Sequence, residues 1–236
     1  MDWSPVVLTF KLAFVTTCCL LLLGIPLAYW LAFSKMKYKT LIETLVSMPL
    51  VLPPSVLGFY LLLAFSPNSG IGKWLAQVLG FQLVFSFEGL VLASILYSLP
   101  FMVQPIQAGF KNLPLTLREA AYTIGKSPFQ TLLKVLLPNM RPAIFSGVVL
   151  AFAHTIGEFG VVLMIGGNIP HETRVASIAV YDAVESLNYE AANQYAFVLF
   201  ATTFSILFLF YLLNKEDRKY DWFRFAKNIE YRRRED

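Results

Sequence analysis

The sequence predicts an all-α, polytopic membrane protein with five spans and a structured loop between the third and the fourth. Three observations carry this. Of 236 residues, 57% are hydrophobic and only 14% charged, with a mean hydropathy of +0.61; a soluble domain of this length has too little interior for so much apolar surface. Five stretches are long enough to cross a bilayer, since a crossing needs about 20 apolar residues whose backbone groups bond within the segment. The Lys and Arg residues, finally, gather on alternate sides of those stretches.

The spans are 12–33, 44–65, 89–110, 142–165 and 191–214. Four carry no charge, and 142–165 contains only His154 and Glu158. The first lacks the basic start and small-residue cleavage site of a secretory signal, so it is expected to remain in the protein. Pro49, Pro53 and Pro54 in the second span, and Pro100 and Pro105 in the third, are expected to kink or interrupt their helices. Cys18 and Cys19 lie side by side in an apolar run and read as packing residues.

Orientation follows from the basic residues. Lys35, Lys37 and Lys39 follow the first span, five more stand between the third and fourth, and eight follow the fifth. Of the 19 Lys and Arg, only Lys11, Lys73 and Arg174 fall on the other side. This predicts an outside N-terminus and a cytoplasmic C-terminus. The outer segment 166–190 repeats apolar residues at Val175, Ile178, Ala179 and Ala183, the spacing of a short helix. Residues 1–214 then form the membrane domain. The tail 215–236 mixes bases with Trp222, Phe223 and Phe225, which suits either an interfacial anchor or a solvated extension.

The loop 111–141 carries the most information. Leu117, Ala120, Ala121 and Ile124 share one helical face. Gly125 can take the left-handed cap conformation that ends such a helix. Ser127 can cap a second helix with Pro128 in its first turn, and Leu132, Leu133, Leu136 and Leu137 face one way until Pro138. The expected product is an amphipathic hairpin with small residues at its tip, suited to a partner's groove. Residues 120–127 also approach a phosphate-loop pattern ending in Gly-Lys-Ser. That reading fails physically, because no buried strand precedes it, no glycine-rich turn exists and Pro128 follows at once.

Glu119-Ala120-Ala121, Gly125 and Leu136-Leu137-Pro138 together resemble the EAA signature of ABC importer membrane subunits. Ile156-Gly157-Glu158-Phe159-Gly160, Gly167-Asn168-Ile169-Pro170, Glu172-Thr173-Arg174, Ala179-Val180-Tyr181 and the run Met48 to Pro54 are similar to the molybdate-type permeases and their sulfate relatives. The resemblance covers essentially the whole chain, and its compact five-span length favours molybdate over sulfate subunits, with sulfate or tungstate as the alternative cargo. Two positions depart from it: His154 stands where the family often has Arg, and His171 where it often has Gly. The resemblance implies a homodimeric pore, two ATP-binding subunits docked on the two hairpins, an extracytoplasmic molybdate-binding protein, and no catalysis by this chain. Glu119, Ala120, Ala121, Gly125 and Pro138 would then make or shape the ATPase contact. No cofactor, metal or nucleic-acid partner is expected.

An ionisable residue inside a span is a functional candidate by default. His154 and Glu158 are one turn apart and can satisfy each other. A carboxylate is a poor ligand for an oxyanion, since a dianion about 4 Å away meets about 8 kcal/mol of repulsion at an effective dielectric of 20. Glu158 therefore reads first as a packing or gate-forming hydrogen-bond acceptor, with pore-lining or proton-carrying roles as the alternatives. Neutral donors suit the anion better, and Ser55, Thr155 and Asn168 are the candidates. Arg174 reads either as an ordinary solvated charge or as a group that draws an oxyanion or pairs with a binding protein's carboxylate. The competing class is a self-sufficient secondary transporter or channel, in which His154 and Glu158 would carry protons.

Overall fold

A computed structural model describes the backbone of residues 1–80 and 82–232, with side chains described among these except at 76, 79 and 214–232. Among the described residues every regular element is helical. Helix α1 (Ser4–Phe33) starts with Pro5 in its first turn, a position whose missing N–H costs nothing. It is followed by α2 (Lys39–Ser47), a 3-10 turn (Met48–Leu50), α3 (Pro54–Phe65) and α4 (Gly70–Leu79). Helix α5 (Phe87–Asn112) is capped by the Ser86 side chain, which accepts from the Gly89 N–H at 3.1 Å.

The second expected span is not one helix. Its halves, Lys39–Leu50 and Pro54–Phe65, meet at 112°. Pro49, Pro53 and Pro54 remove three amide donors within six residues, so the helix cannot be carried through. In the third span the outcome differs, because α5 continues through both Pro100 and Pro105.

Beyond α5 comes the hairpin: α6 (Leu115–Thr123), α7 (Pro128–Thr131), a π-helical turn (Leu132–Leu136) and α8 (Leu137–Asn139). The expected stop at Pro138 does not occur. The wider π turn lets the Leu137 N–H reach the Leu132 carbonyl, and Pro138 enters the first turn of α8, where it needs no donor.

Helix α9 (Arg141–Ile156) bends 79° away from the hairpin's second arm. The fourth expected span, 142–165, breaks at Gly157–Phe159 before α10 (Gly160–Gly166). The break has a packing cause. A Cβ on Gly160 would come within 2.9 Å of Pro54 Cβ, and one on Gly58 within 2.7 Å of Met164 Cβ, so α10 leaves the line of α9 to lie tightly on α3. Helix α11 (Ala176–Glu185) buries Ile178, Ala179 and Ala183 as expected from the sequence, and the fourth expected residue, Val175, is buried at its N-cap. Helix α12 (Tyr189–Arg232) packs on α11 and α9 and leaves Phe200, Phe204 and Phe208 stacked along an exposed face. The side chains of the tail 215–236 lie outside the described residues.

Helix α5 is the central post, packed against α1, α9 and α10. Two apolar clusters flank it. Leu20, Leu31, Met102, Ile106, Phe110 and Leu136 fill the end nearest the hairpin. Leu12, Leu90, Val161, Val162, Ile165 and Ile178 fill the opposite end. Along α5 the polar pair Ser94 and Ser98 falls between them, both fully buried.

Candidate functional site

The hairpin is built by local hydrogen bonds. Gly125 has φ +76°, its N–H bonds the Tyr122 carbonyl at 2.9 Å, and the Lys126 N–H bonds the Ala121 carbonyl at 3.0 Å. That pair of bonds is the Schellman closure of α6, which needs a left-handed residue at Gly125. Ser127 and Gln130 then close a reciprocal capping box on α7 at 3.2 and 3.3 Å. At its root, the Arg118 guanidinium lies 4.8 Å over the Phe33 ring, which packs edge-on to Tyr29 and Phe110. The hairpin is thereby fastened to the ends of α1 and α5.

Its outer surface is largely unpaired. Glu119, Ala120, Gly125 and Pro138 are exposed, and Ala121 is buried. The four residues expected on one helical face differ in exposure within this chain: Ala121 is buried, Leu117 half-buried, Ala120 exposed, and Ile124 72% exposed. With Leu115, Phe129 and Leu133, Ile124 gives the hairpin apolar groups that stand exposed among the described residues.

The second cluster sits in the membrane-spanning part. Glu158, 3% exposed, accepts from Ser94 Oγ at 2.5 Å and from Ser98 Oγ at 2.6 Å. His154 Nδ1 is 3.5 Å from Glu158 Oε1 and 2.9 Å from Ser98 Oγ. Thr155 Oγ1 is 3.0 Å from Ser98 Oγ and donates to the Ala151 carbonyl at 2.9 Å. From α11, Ser177 Oγ donates to the Glu158 carbonyl at 2.5 Å. Glu158 is thus anchored chiefly by two serines of another helix, with His154 as its more distant neighbour. Ser94 and Ser98 were not singled out from the sequence. Their signal was an i, i+4 polar pair in an uncharged span, the same spacing as His154 and Glu158.

A cavity of about 530 Å³ opens beside this cluster, lined by Pro54, Ser55, Tyr97, His154, Glu158 and Phe159 among others. Ser55, His154 and Glu158 therefore line one cavity. Thr155 is buried behind them at 2% exposure. Asn168 is elsewhere: its amide donates to Asp182 Oδ1 at 3.1 Å and its carbonyl accepts from Arg174 Nε at 2.7 Å. Arg174 also pairs with Asp182, so within this chain its charge already has a partner.

Near the hairpin, Glu43 of α2 accepts from Gln107 Nε2 at 2.5 Å and lies 3.5 Å from Lys111 Nζ. This tie between α2 and α5 also escaped the sequence, because its partners are 64 residues apart.

With both regions described, comparison with known proteins decides the family. Residues 24–216 match the model of the binding-protein-dependent transport system inner membrane component. The chain belongs to that family. This transport component is 46% identical to the molybdenum transport system permease protein ModB of Azotobacter vinelandii, over 89% of this chain and 93% of that one. It is 33% identical to the Haemophilus influenzae protein of the same name, over 93% and 96% of the two chains. With the sulfate transport system permease protein CysT of Escherichia coli it shares 34% identity over 83% of this chain and 70% of the relative. Among solved structures, a bacterial ABC transporter involved in the import of the polysaccharide alginate superimposes with a TM-score of 0.70 at 17% identity, covering 92% of this chain and 80% of that chain. The fold of the transport component is that of an ABC importer membrane subunit.

Proposed function

We propose that the chain is the membrane-spanning subunit of an ATP-driven molybdate importer, inserted with its N-terminus outside and its C-terminus in the cytoplasm. Two copies pair around the path, two ATP-binding subunits grip the two hairpins, and an extracytoplasmic binding protein delivers the anion. Catalysis belongs to the ATP-binding subunits. The observation that carries the coupling role is the hairpin: a rigidly capped element, fastened to α1 and α5, whose apolar and acidic outer groups have no partner among the described residues.

Glu119, Ala120, Gly125 and Ile124 form the contact in this reading, Ala121 keeps the helix close to the hairpin's second arm, and Pro138 seats its base. Ala120 lets a partner backbone approach. Glu119 offers a carboxylate to a polar or basic group. Since the hairpin is tied to α1 through Arg118 and Phe33, a displacement by the ATPase is transmitted to the spans rather than absorbed by the loop. ATP binding must favour one arrangement over the other for that displacement to occur.

For the cargo, Ser55 and His154 offer donors at the cavity, Ser98 and Glu158 hold His154 in place with Thr155 bracing Ser98, and Asn168 with Arg174 and Asp182 fixes the segment after α10. Molybdate is favoured over sulfate by likeness: the chain is 46% identical to one molybdenum permease and 34% identical to the sulfate one. The test is reconstitution with the ATP-binding subunits and the binding protein in vesicles. ATP-dependent molybdate uptake that excess sulfate fails to suppress supports the assignment, whereas uptake of sulfate alone or uptake without ATP overturns it.

A further inference from the structure

Helix α2 has little apolar hold on the rest of the molecule. Of its 9 residues only Val46 is buried, with Ile42 packed half-buried beside it. Polar groups supply the remaining attachment. Glu43 and Ser47 stand one turn apart on α2, and Gln104, Gln107 and Lys111 follow one face of α5 at i, i+3 and i+7. Gln107 Nε2 donates to Glu43 Oε1 at 2.5 Å, Gln104 Nε2 donates to Ser47 Oγ at 3.1 Å, and Lys111 Nζ lies 3.5 Å from Glu43 Oε1. Gln107 is only 9% exposed, so its bond to the carboxylate carries this seam, and the Lys111 pair, half in solvent, adds less.

At the hairpin end of the seam, α5 is locked to the hairpin's base. Phe110 and Leu136 share one buried cluster, and a Cβ on Gly109 would come within 2.6 Å of Ala143 Cβ and 3.0 Å of Met140 Cε. At the other end, α2 runs into the 3-10 turn and the 112° bend, beyond which Pro54 and Ser55 line the larger cavity and α3 lies tightly on α10. Pro53 and Pro54 have no amide N–H to donate across that bend, so no helical ladder holds the two halves of the span in line. The position of α2 is therefore set by α5 rather than by α3.

We infer that the Glu43–Gln107 bond is the joint through which movement of the hairpin reaches the second span, so that Glu43 and Gln107 are positioning residues for transport. This rests on the transport reading above. With the bond in place, α2 follows the end of α5 and hence the hairpin, and the proline bend takes up the changing angle between α2 and α3. Without it, α5 still moves with the hairpin but α2 lags behind. The bend beside Ser55 then keeps its angle, and ATP is hydrolysed with no matching change at the cavity.

The test uses the whole complex in vesicles with the molybdate-loaded binding protein, and reads molybdate taken up per ATP hydrolysed, a ratio that the amount of assembled complex does not move. Gln107→Glu sets two carboxylates against each other and should lower that ratio about tenfold or more, the scale on which a bond to a charged group matters. Adding Glu43→Gln restores an amide-to-carboxylate bond, with the acid now one turn from Lys111, and should bring the ratio back to roughly half the parental value or better. Gln107→Leu, which keeps the bulk and removes the bond, should also lower the ratio, so the test stands if Gln107→Glu does not assemble. A parental ratio in either single variant, or a loss that the exchanged pair does not recover, would overturn the joint. Failure of the unaltered complex to take up any oxyanion with ATP would instead overturn the transport reading on which it rests.

Discussion

The hairpin and the Glu158 cluster solve opposite problems. In the hairpin the stabilising bonds are local, from Gly125 to Tyr122, Lys126 to Ala121 and Ser127 to Gln130, and the outer side chains are left free. In the cluster the backbone is broken at Gly157–Phe159, and the polar groups are satisfied by residues 56 to 64 positions away. A lever must be rigid in itself and unsatisfied toward its partner. A membrane-buried acid must be satisfied by its own chain, because an unpaired charge there costs several kcal/mol. The difference separates residues whose loss should spare the membrane domain from those whose loss should loosen it.

The largest effect expected on transport is therefore one with little effect on stability. Gly125→Val forces a β-branched residue to φ +76° and removes the Schellman closure, so ATP-driven uptake should fall to background. Glu119→Lys should do the same through the contact alone. In both, the amount of protein in the membrane and its melting temperature in detergent should stay near those of the unaltered chain. Normal uptake by either variant would break the comparison.

Next comes Glu158. Glu158→Ala leaves the Ser94 and Ser98 hydroxyls without their acceptor and opens a hole between α5 and the helix break. Losing two charge-assisted bonds should cost about 3–5 kcal/mol, seen as a large drop in melting temperature. Glu158→Gln, which keeps an acceptor oxygen, should retain a substantial part of both stability and uptake. An alanine variant as stable as its parent would remove the structural role.

Ser98 and Ser94 sharpen the point. Ser98 meets Glu158, His154 and Thr155, whereas Ser94 meets Glu158 alone. Ser98→Ala should cost about 2–3 kcal/mol and Ser94→Ala about 1–2, read from thermal unfolding in the same detergent. Equal losses would show that the cluster is not centred on Ser98.

How much of this was legible in the sequence follows the same division. Gly125, Ser127 and Pro128 were readable because a cap depends on neighbours within a few residues. The buried face of α11 was readable because Ile178, Ala179 and Ala183 repeat at helical spacing. The three prolines announced an interruption of the second span, but its 112° angle is set by α3 lying on α10, which no local pattern reports. Glu158 was visible as an unusual residue, and its serine partners were not, because they lie on another helix. Asn168 was grouped with the cavity on chemistry alone, and its partners Arg174 and Asp182 hold it elsewhere.

The smallest effect belongs to that last group. The Arg174–Asp182 pair is partly exposed, with side-chain exposures of 27% and 42%. Arg174→Ala should therefore cost about 1 kcal/mol or less, and the loss should shrink further in high salt. A large loss of stability would place this pair beside the Glu158 cluster rather than apart from it.

The central claim, that the hairpin is the handle by which ATP-binding subunits move the spans, is tested most directly by its exposed tip. Ile124→Cys, introduced with Cys18 and Cys19 replaced by serine, would be probed in membranes with and without the ATP-binding subunits. The account predicts that the thiol reacts freely with a water-soluble maleimide in the lone chain, and is both protected and cross-linkable to an ATP-binding subunit in the complex. Equal reactivity in the two states, with no cross-link formed, would contradict it.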